Sequence, residues 1–202
     1  MKRALFVASF AVATFLVLSA PTVCADTLTF TANLTGALEV PSNGSTGTGF
    51  AMVVVDTTAN TMQVNVTFSG LSSGTTASHI HCCLASPFLT GSNVGVATTT
   101  PTFTGFPLGV TSGTYSHLFD LTLASSYNPA FVTAEGGTVS GAEAALLTGI
   151  EGGETYLNIH TTNFPGGEVR GFLAQVPEPS SIFMLSSGLL GLFCARRKFH
   201  RR

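Results

Sequence analysis

The sequence predicts an all-β domain, an antiparallel β-sandwich carrying one short helix. Three observations carry this reading. Polar and apolar residues alternate at period two in several short runs, turn-forming Gly, Ser, Asn and Pro cluster between the runs, and one stretch alone has strong helical character. Seven or more short strands with one helix fit a sandwich or barrel rather than alternating β and α units.

The elements follow in chain order. Lys2 and Arg3 precede an apolar run over residues 4–18, and Val23 and Ala25 place small side chains at a cleavage site. This is the pattern of a secretory signal peptide over residues 1–25, with the mature chain starting at Asp26. The run of 15 residues is short for a membrane span of ~20. Residues 27–34 and 61–68 alternate without a break and predict half-buried strands. Residues 49–56 are more continuously apolar and predict a strand covered on both faces. Further strands are expected over 77–82, 115–123, 155–161 and 168–174. Residues 140–150 form the predicted helix, with Ser140 and Glu143 as a capping box. A shorter helical turn is expected near 128–133.

The last segment, 176–202, has its own character. Pro177-Glu178-Pro179 leads into 14 apolar residues over 182–195, and Arg196 and Arg197 open a basic tail. Fourteen helical residues span ~21 Å at 1.5 Å each, a short transmembrane helix against a bilayer core of ~30 Å. The basic tail belongs on the cytoplasmic side. A Pro-Glu-Pro motif, a short apolar helix and an Arg-rich end, in that order, resemble the PEP-CTERM sorting signal. That resemblance implies a Gram-negative, exopolysaccharide-producing bacterium. It also implies export by the secretion machinery, signal peptidase cleavage and a transient inner-membrane anchor. An exosortase would then process the chain at Pro-Glu-Pro and leave it at the cell surface or in the extracellular matrix.

Charge excludes one class of function. Between Asp26 and Val176 stand nine acidic residues and one basic residue, Arg170, a net charge of −8. Such a domain lacks the Lys and Arg that phosphate contacts require, so nucleic acid is not expected as a partner. Of the four cysteines, Cys24 and Cys194 lie in the removable ends, and Cys82 and Cys83 are adjacent. A bond between neighbours departs from preferred disulfide geometry, so no disulfide framework is expected.

Alternation assigns faces. Ser78, Ile80 and Cys82 share one side of their strand, and His79, His81 and Cys83 the other. Leu157 and Ile159 share a side of the later strand, with Tyr156, Asn158 and His160 opposite. If both strands bury their isoleucines, the three histidines face away from that core. His117 shares its face with Tyr115 and Phe119 and reads as a core-edge residue. Phe103, Phe106, Pro107 and Tyr115 either stack on sugars or cap the end of the sandwich.

The Ala77-Ser78-His79-Ile80-His81 block, with Tyr156-Leu157-Asn158-Ile159-His160-Thr161 and Pro165-Gly166-Gly167-Glu168-Val169-Arg170-Gly171, resembles the CHRD (chordin-type) domain. Leu34-Thr35-Gly36-Ala37-Leu38-Glu39-Val40-Pro41 fits its start, so the likeness spans most of residues 26–175. Cys82-Cys83 departs from the small residues or Gly that many relatives carry there. The resemblance implies an all-β fold and an extracellular binding role.

Two chemistries remain open for this face. His79 and His81, two apart on a strand, place their Cβ atoms ~6.5–7 Å apart and suit a shared metal ion, with His160 as a third ligand. Cys83 or Glu168 would complete a set suited to Cu or Zn. Alternatively the histidines hydrogen-bond loop carbonyls, with Arg170 paired to Glu168 or another carboxylate. Copper–zinc superoxide dismutases also use His-x-His on a sandwich strand, hence the Ig-like or SOD-like form of the expected fold. This chain lacks their fuller His and Asp complement. The sequence reading is therefore an exported surface or matrix protein, not an enzyme, with exopolysaccharide or surface proteins as partners. Its alternative is a Cu/Zn-binding protein with weak redox activity.

Overall fold

Alternating side chains organise the first half of the domain. The computed structural model describes residues 27–84 and 91–177. The expected signal peptide and the C-terminal helix with Glu178, Pro179, Arg196 and Arg197 lie outside the described residues. β1 (Thr27–Thr35), β2 (Thr48–Asp56) and β3 (Thr61–Ser69) form an antiparallel meander, with Thr27 opposite Asp56 and Asp56 opposite Thr61. Phe30, Ala32, Leu34, Ala51, Val53, Val55, Met62, Val64, Val66 and Phe68 all turn inward. Asn60 takes a φ of 52° in the β2–β3 turn, a conformation Asn tolerates better than most residues. The Asp56 carboxylate accepts from Thr58 N–H and Ala59 N–H and closes the same turn.

β2 corrects one expectation. It is half-buried, with Phe50 44% and Met52 37% exposed on its outer face. Its apolar run is longer than the inward face requires; among the described residues, no second layer covers those two side chains.

β4 (Thr75–His81), β5 (Gly113–Asp120), β6 (Tyr156–Thr161), β7 (Val169–Phe172) and β8 (Ala174–Gln175) complete the sheet. The strand order is β4-β6-β7-β1-β2-β3-β5, and β8 also pairs with β1. The pairing is continuous, so the described strands form one antiparallel, curled sheet in place of two separately bonded ones. Both ends contribute to one core, where Ile80, Leu157, Ile159 and Val169 join the side chains of β1–β3. β7 comes so close to β1 that a Cβ on Gly171 would lie 2.3 Å from Asn33 O.

The outer edge of β4 is covered by irregular chain. Ala97 N–H donates to Ile80 O, Phe103 N–H to Ser78 O and Gly109 N–H to Thr75 O, at 3.0, 3.0 and 2.8 Å. This pairing removes an exposed edge and brings residues 94–101 over one face of the strand. Phe103, Phe106 and Tyr115 are buried in the core, which leaves them no open face for a sugar. Phe103 stacks on Tyr115 at 5.6 Å.

Two helices precede β6. α1 (Pro129–Ala134) starts at Asn128, whose side chain accepts from Ala130 N–H, with Pro129 at the first position. α2 (Val139–Glu151) buries Ala142, Leu146, Gly149 and Ile150. Its cap is Thr138, which accepts from Gly141 N–H at 3.0 Å, rather than Ser140. Thr138 has the extended backbone a cap needs, whereas Ser140 already lies within the helix.

Candidate metal centre

Strand pairing builds one polar face from separated parts of the chain. β4 and β6 are antiparallel, with His79 opposite Asn158, His81 opposite Tyr156 and Ala77 opposite His160. On the other side of β6, Asn158 lies opposite Arg170 and Tyr156 opposite Phe172. Directly opposed residues share a face, and residues two apart along a strand share it too. His79, His81, Asn158, His160 and Arg170 therefore stand together, while Ile80, Leu157 and Ile159 enter the core on the reverse side.

The face points away from the apolar core and is nonetheless buried. His79 is 6% and His81 9% exposed, because loops close over them. Those loops supply three backbone carbonyls. His79 Nε2 meets Pro101 O at 2.6 Å, His81 Nδ1 meets Val94 O at 2.8 Å, and His160 Nδ1 meets Pro165 O at 2.9 Å. A carbonyl only accepts, so each of these nitrogens carries a proton and donates. In the neutral ring the other nitrogen then holds a bare lone pair. His79 Nδ1, His81 Nε2 and His160 Nε2 are buried without a hydrogen-bond partner. Ligand nitrogens of the three rings lie within 4.8 Å of one another.

Electrostatics keep the rings neutral. Burial pulls the pKa of all three below the usual histidine value, most of all His81, which falls to about 4. The carbonyl bonds partly offset this, and the neighbouring His160 pushes His79 and His81 further down. His81 also stacks on Tyr156, with centroids 4.6 Å apart. Neutral imidazole is the form that coordinates metal.

Other candidates from the sequence are placed elsewhere. Cys83 is bonded to Cys82, and its Sγ lies 3.7 Å from Ala145 O on α2. The strand ends at His81, so the alternation that would have put Cys83 beside the histidines does not reach it. The bonded pair links direct neighbours and closes no long loop. His117 remains on β5 beside Phe119.

Glu168 precedes β7 and is fully buried. It accepts from Ser45 Oγ at 2.6 Å, Ser72 N–H at 2.6 Å, Ser72 Oγ at 3.0 Å and Thr161 Oγ1 at 2.5 Å. Burial raises its pKa, but these donors outweigh burial and hold it below the ordinary value. Both oxygens thus tie the loops around Ser45 and Ser72 to Thr161 at the end of β6.

Arg170 is fully buried. Its Nε donates to Leu38 O, and its Nη1 donates to Asn93 Oδ1 at 2.9 Å and Ser92 O at 3.3 Å. The guanidinium also lies 4.6 Å from the Tyr156 ring centre. The carboxylate that feels its charge is Glu39. Glu39 accepts from Asn158 Nδ2 at 3.1 and 3.2 Å, and burial pushes its pKa up to about 7 despite Arg170 and Asn158. Glu39 lies in the Leu34–Pro41 block, which does not by itself point it at the site. Its only signal was a lone acid in an otherwise apolar stretch. A cavity of about 320 Å³ opens beside it, bordered by Asn43, Asn93, Phe164 and Pro165.

The family comparison agrees with the blocks that build this face. A family model of the CHRD domain matches residues 30–173. The PEP-CTERM protein-sorting motif matches residues 175–198, which makes an exosortase the processing partner and marks an exported protein with a transient membrane anchor. No curated protein and no solved structure shows significant similarity to the chain. The CHRD match spans more than half of the sequence and contains His79, His81, Asn158, His160 and Arg170, so the chain belongs to the CHRD domain family.

Proposed function

We propose that this exported, exosortase-processed surface protein binds a transition-metal ion, Cu or Zn, through His79, His81 and His160. The observation that carries the reading is the set of three buried, unpartnered imidazole nitrogens on neighbouring strands. A purely structural buried histidine ordinarily satisfies both ring nitrogens. Here each ring spends one nitrogen on a carbonyl and leaves the other bare. Outer hydrogen bonds of this kind fix the ring and raise its basicity toward a metal.

Three imidazoles suit Zn or Cu and leave a fourth position open. The role is binding within the surface or matrix layer, with exopolysaccharide or surface proteins as its neighbours. The test is metal content by mass spectrometry on exported protein purified without chelators, beside a His79→Ala/His81→Ala/His160→Ala variant. About one equivalent of Cu or Zn in the parent, absent from the folded variant, supports the reading. A folded parent that takes up neither ion contradicts it and leaves a structural role for the histidines.

A further inference from the structure

We infer that Asn158 belongs to this metal centre, its Oδ1 accepting a hydrogen bond from the water that completes the ion's coordination. The inference rests on the metal reading above. Asn158 is 2% exposed, yet its Oδ1 has no hydrogen-bond partner. It stands opposite His79 on the neighbouring strand and two residues before His160 on its own. Among the described residues, the buried atoms without partners on this face are three imidazole nitrogens and one amide oxygen. The nitrogens are donors to a cation. A buried acceptor beside them answers a different need, the O–H of a water held in the open position of a three-histidine set.

The amide is held in one orientation. Its NH₂ group faces both oxygens of Glu39 at 3.1 and 3.2 Å. Both hydrogen bonds place Nδ2 on Glu39, which leaves Oδ1 without a partner. The contact also has room made for it. A Cβ on Gly167 would lie 2.5 Å from Asn158 Nδ2, 2.8 Å from Asn158 Oδ1 and 2.8 Å from Glu39 Oε2, so the whole amide packs against this glycine, whose φ of 131° side chains disfavour. Glu39 is therefore a positioning residue, acting on the centre through Asn158.

The experiment uses Zn(II) and Cu(II) alone as probes on the exported protein. Zn(II) affinity is measured by competition with a chromophoric chelator for wild type, Asn158→Ala and Glu39→Gln. Circular dichroism checks each fold. Asn158→Ala is expected to keep one equivalent of metal with an affinity about 10–100-fold weaker. Glu39→Gln, whose amide no longer dictates a single orientation, is expected to shift affinity in the same direction by less. Pulsed EPR of the Cu(II) protein in H₂O and D₂O supplies a readout that packing alone would not move. Wild type should show exchangeable protons of a bound water, with couplings altered in both variants. Unchanged affinity and couplings in the folded variants overturn the inference and leave the three-histidine site standing. If Asn158→Ala does not fold, the absence of an exchangeable water signal in wild type overturns it equally. A wild type that takes up no metal refutes the metal reading itself, and this inference with it.

Discussion

His79 and His160, on adjacent strands, have ring centroids 5.3 Å apart and turn their protons outward to different loops, at Pro101 and Pro165. The rings offer each other no hydrogen bond, and their free nitrogens stay bare. Such a pair contributes little to the apo fold. Replacing His160 with Leu should remove stoichiometric metal while changing the stability of chelator-treated protein by no more than about 1 kcal/mol, since one hydrogen bond is exchanged for apolar contact. Thermal unfolding beside metal analysis checks both halves. A large loss of apo stability with metal retained would assign His160 to structure.

The cysteines lie outside this centre. A Cys82→Ser/Cys83→Ser variant should bind metal with wild-type stoichiometry, because both sulfurs approach Ala145 O on α2. Thiol titration of the unfolded, unreduced mature domain should find no free thiol, as the bond between them requires.

Glu168 ties the loops around Ser45 and Ser72 to Thr161. Glu168→Gln keeps the size but removes the charge that four donors share. A loss of about 2–4 kcal/mol is expected in denaturant unfolding. The sign with pH follows from its lowered pKa. Its contribution is present above the ordinary carboxyl value of 4.5 and is lost as pH falls through the lower folded value. The difference between wild type and Glu168→Gln should therefore shrink on acidification.

Glu39 behaves in the opposite sense. Its folded pKa is raised from the ordinary 4.5 to about 7. The protonated form is the better tolerated, so its contribution is fully present below about pH 4.5 and is lost as pH rises through about 7. Compared with Glu39→Gln, the wild type should lose about 1–3 kcal/mol over that window, after allowance for screening beside the cavity. Stability curves for the two proteins from pH 4.5 to 8 check this; parallel curves would show that Glu39 titrates normally.

Much of the fold was legible because β1, β3 and the inward face of β2 obey simple alternation. The histidine face was legible for the same reason, as His79 and His81 are two apart and Asn158 and His160 repeat that spacing. Its closure was not. The carbonyls of Val94, Pro101 and Pro165 come from irregular chain whose path follows no periodicity. Glu39 and Arg170 lie far apart in sequence and meet only because β7 pairs with β1, with Arg170 opposite Thr35. Cys83 shows the limit of alternation, since the pattern predicts a face only while the strand continues.

X-ray absorption on the Zn-loaded protein tests the central claim most directly. Three histidine ligands predict nitrogen scatterers at ~2.0–2.1 Å with the outer-ring pattern of about three imidazoles, and no sulfur shell at ~2.3 Å. A sulfur shell, or fewer than two imidazoles per ion, would contradict a centre built from His79, His81 and His160.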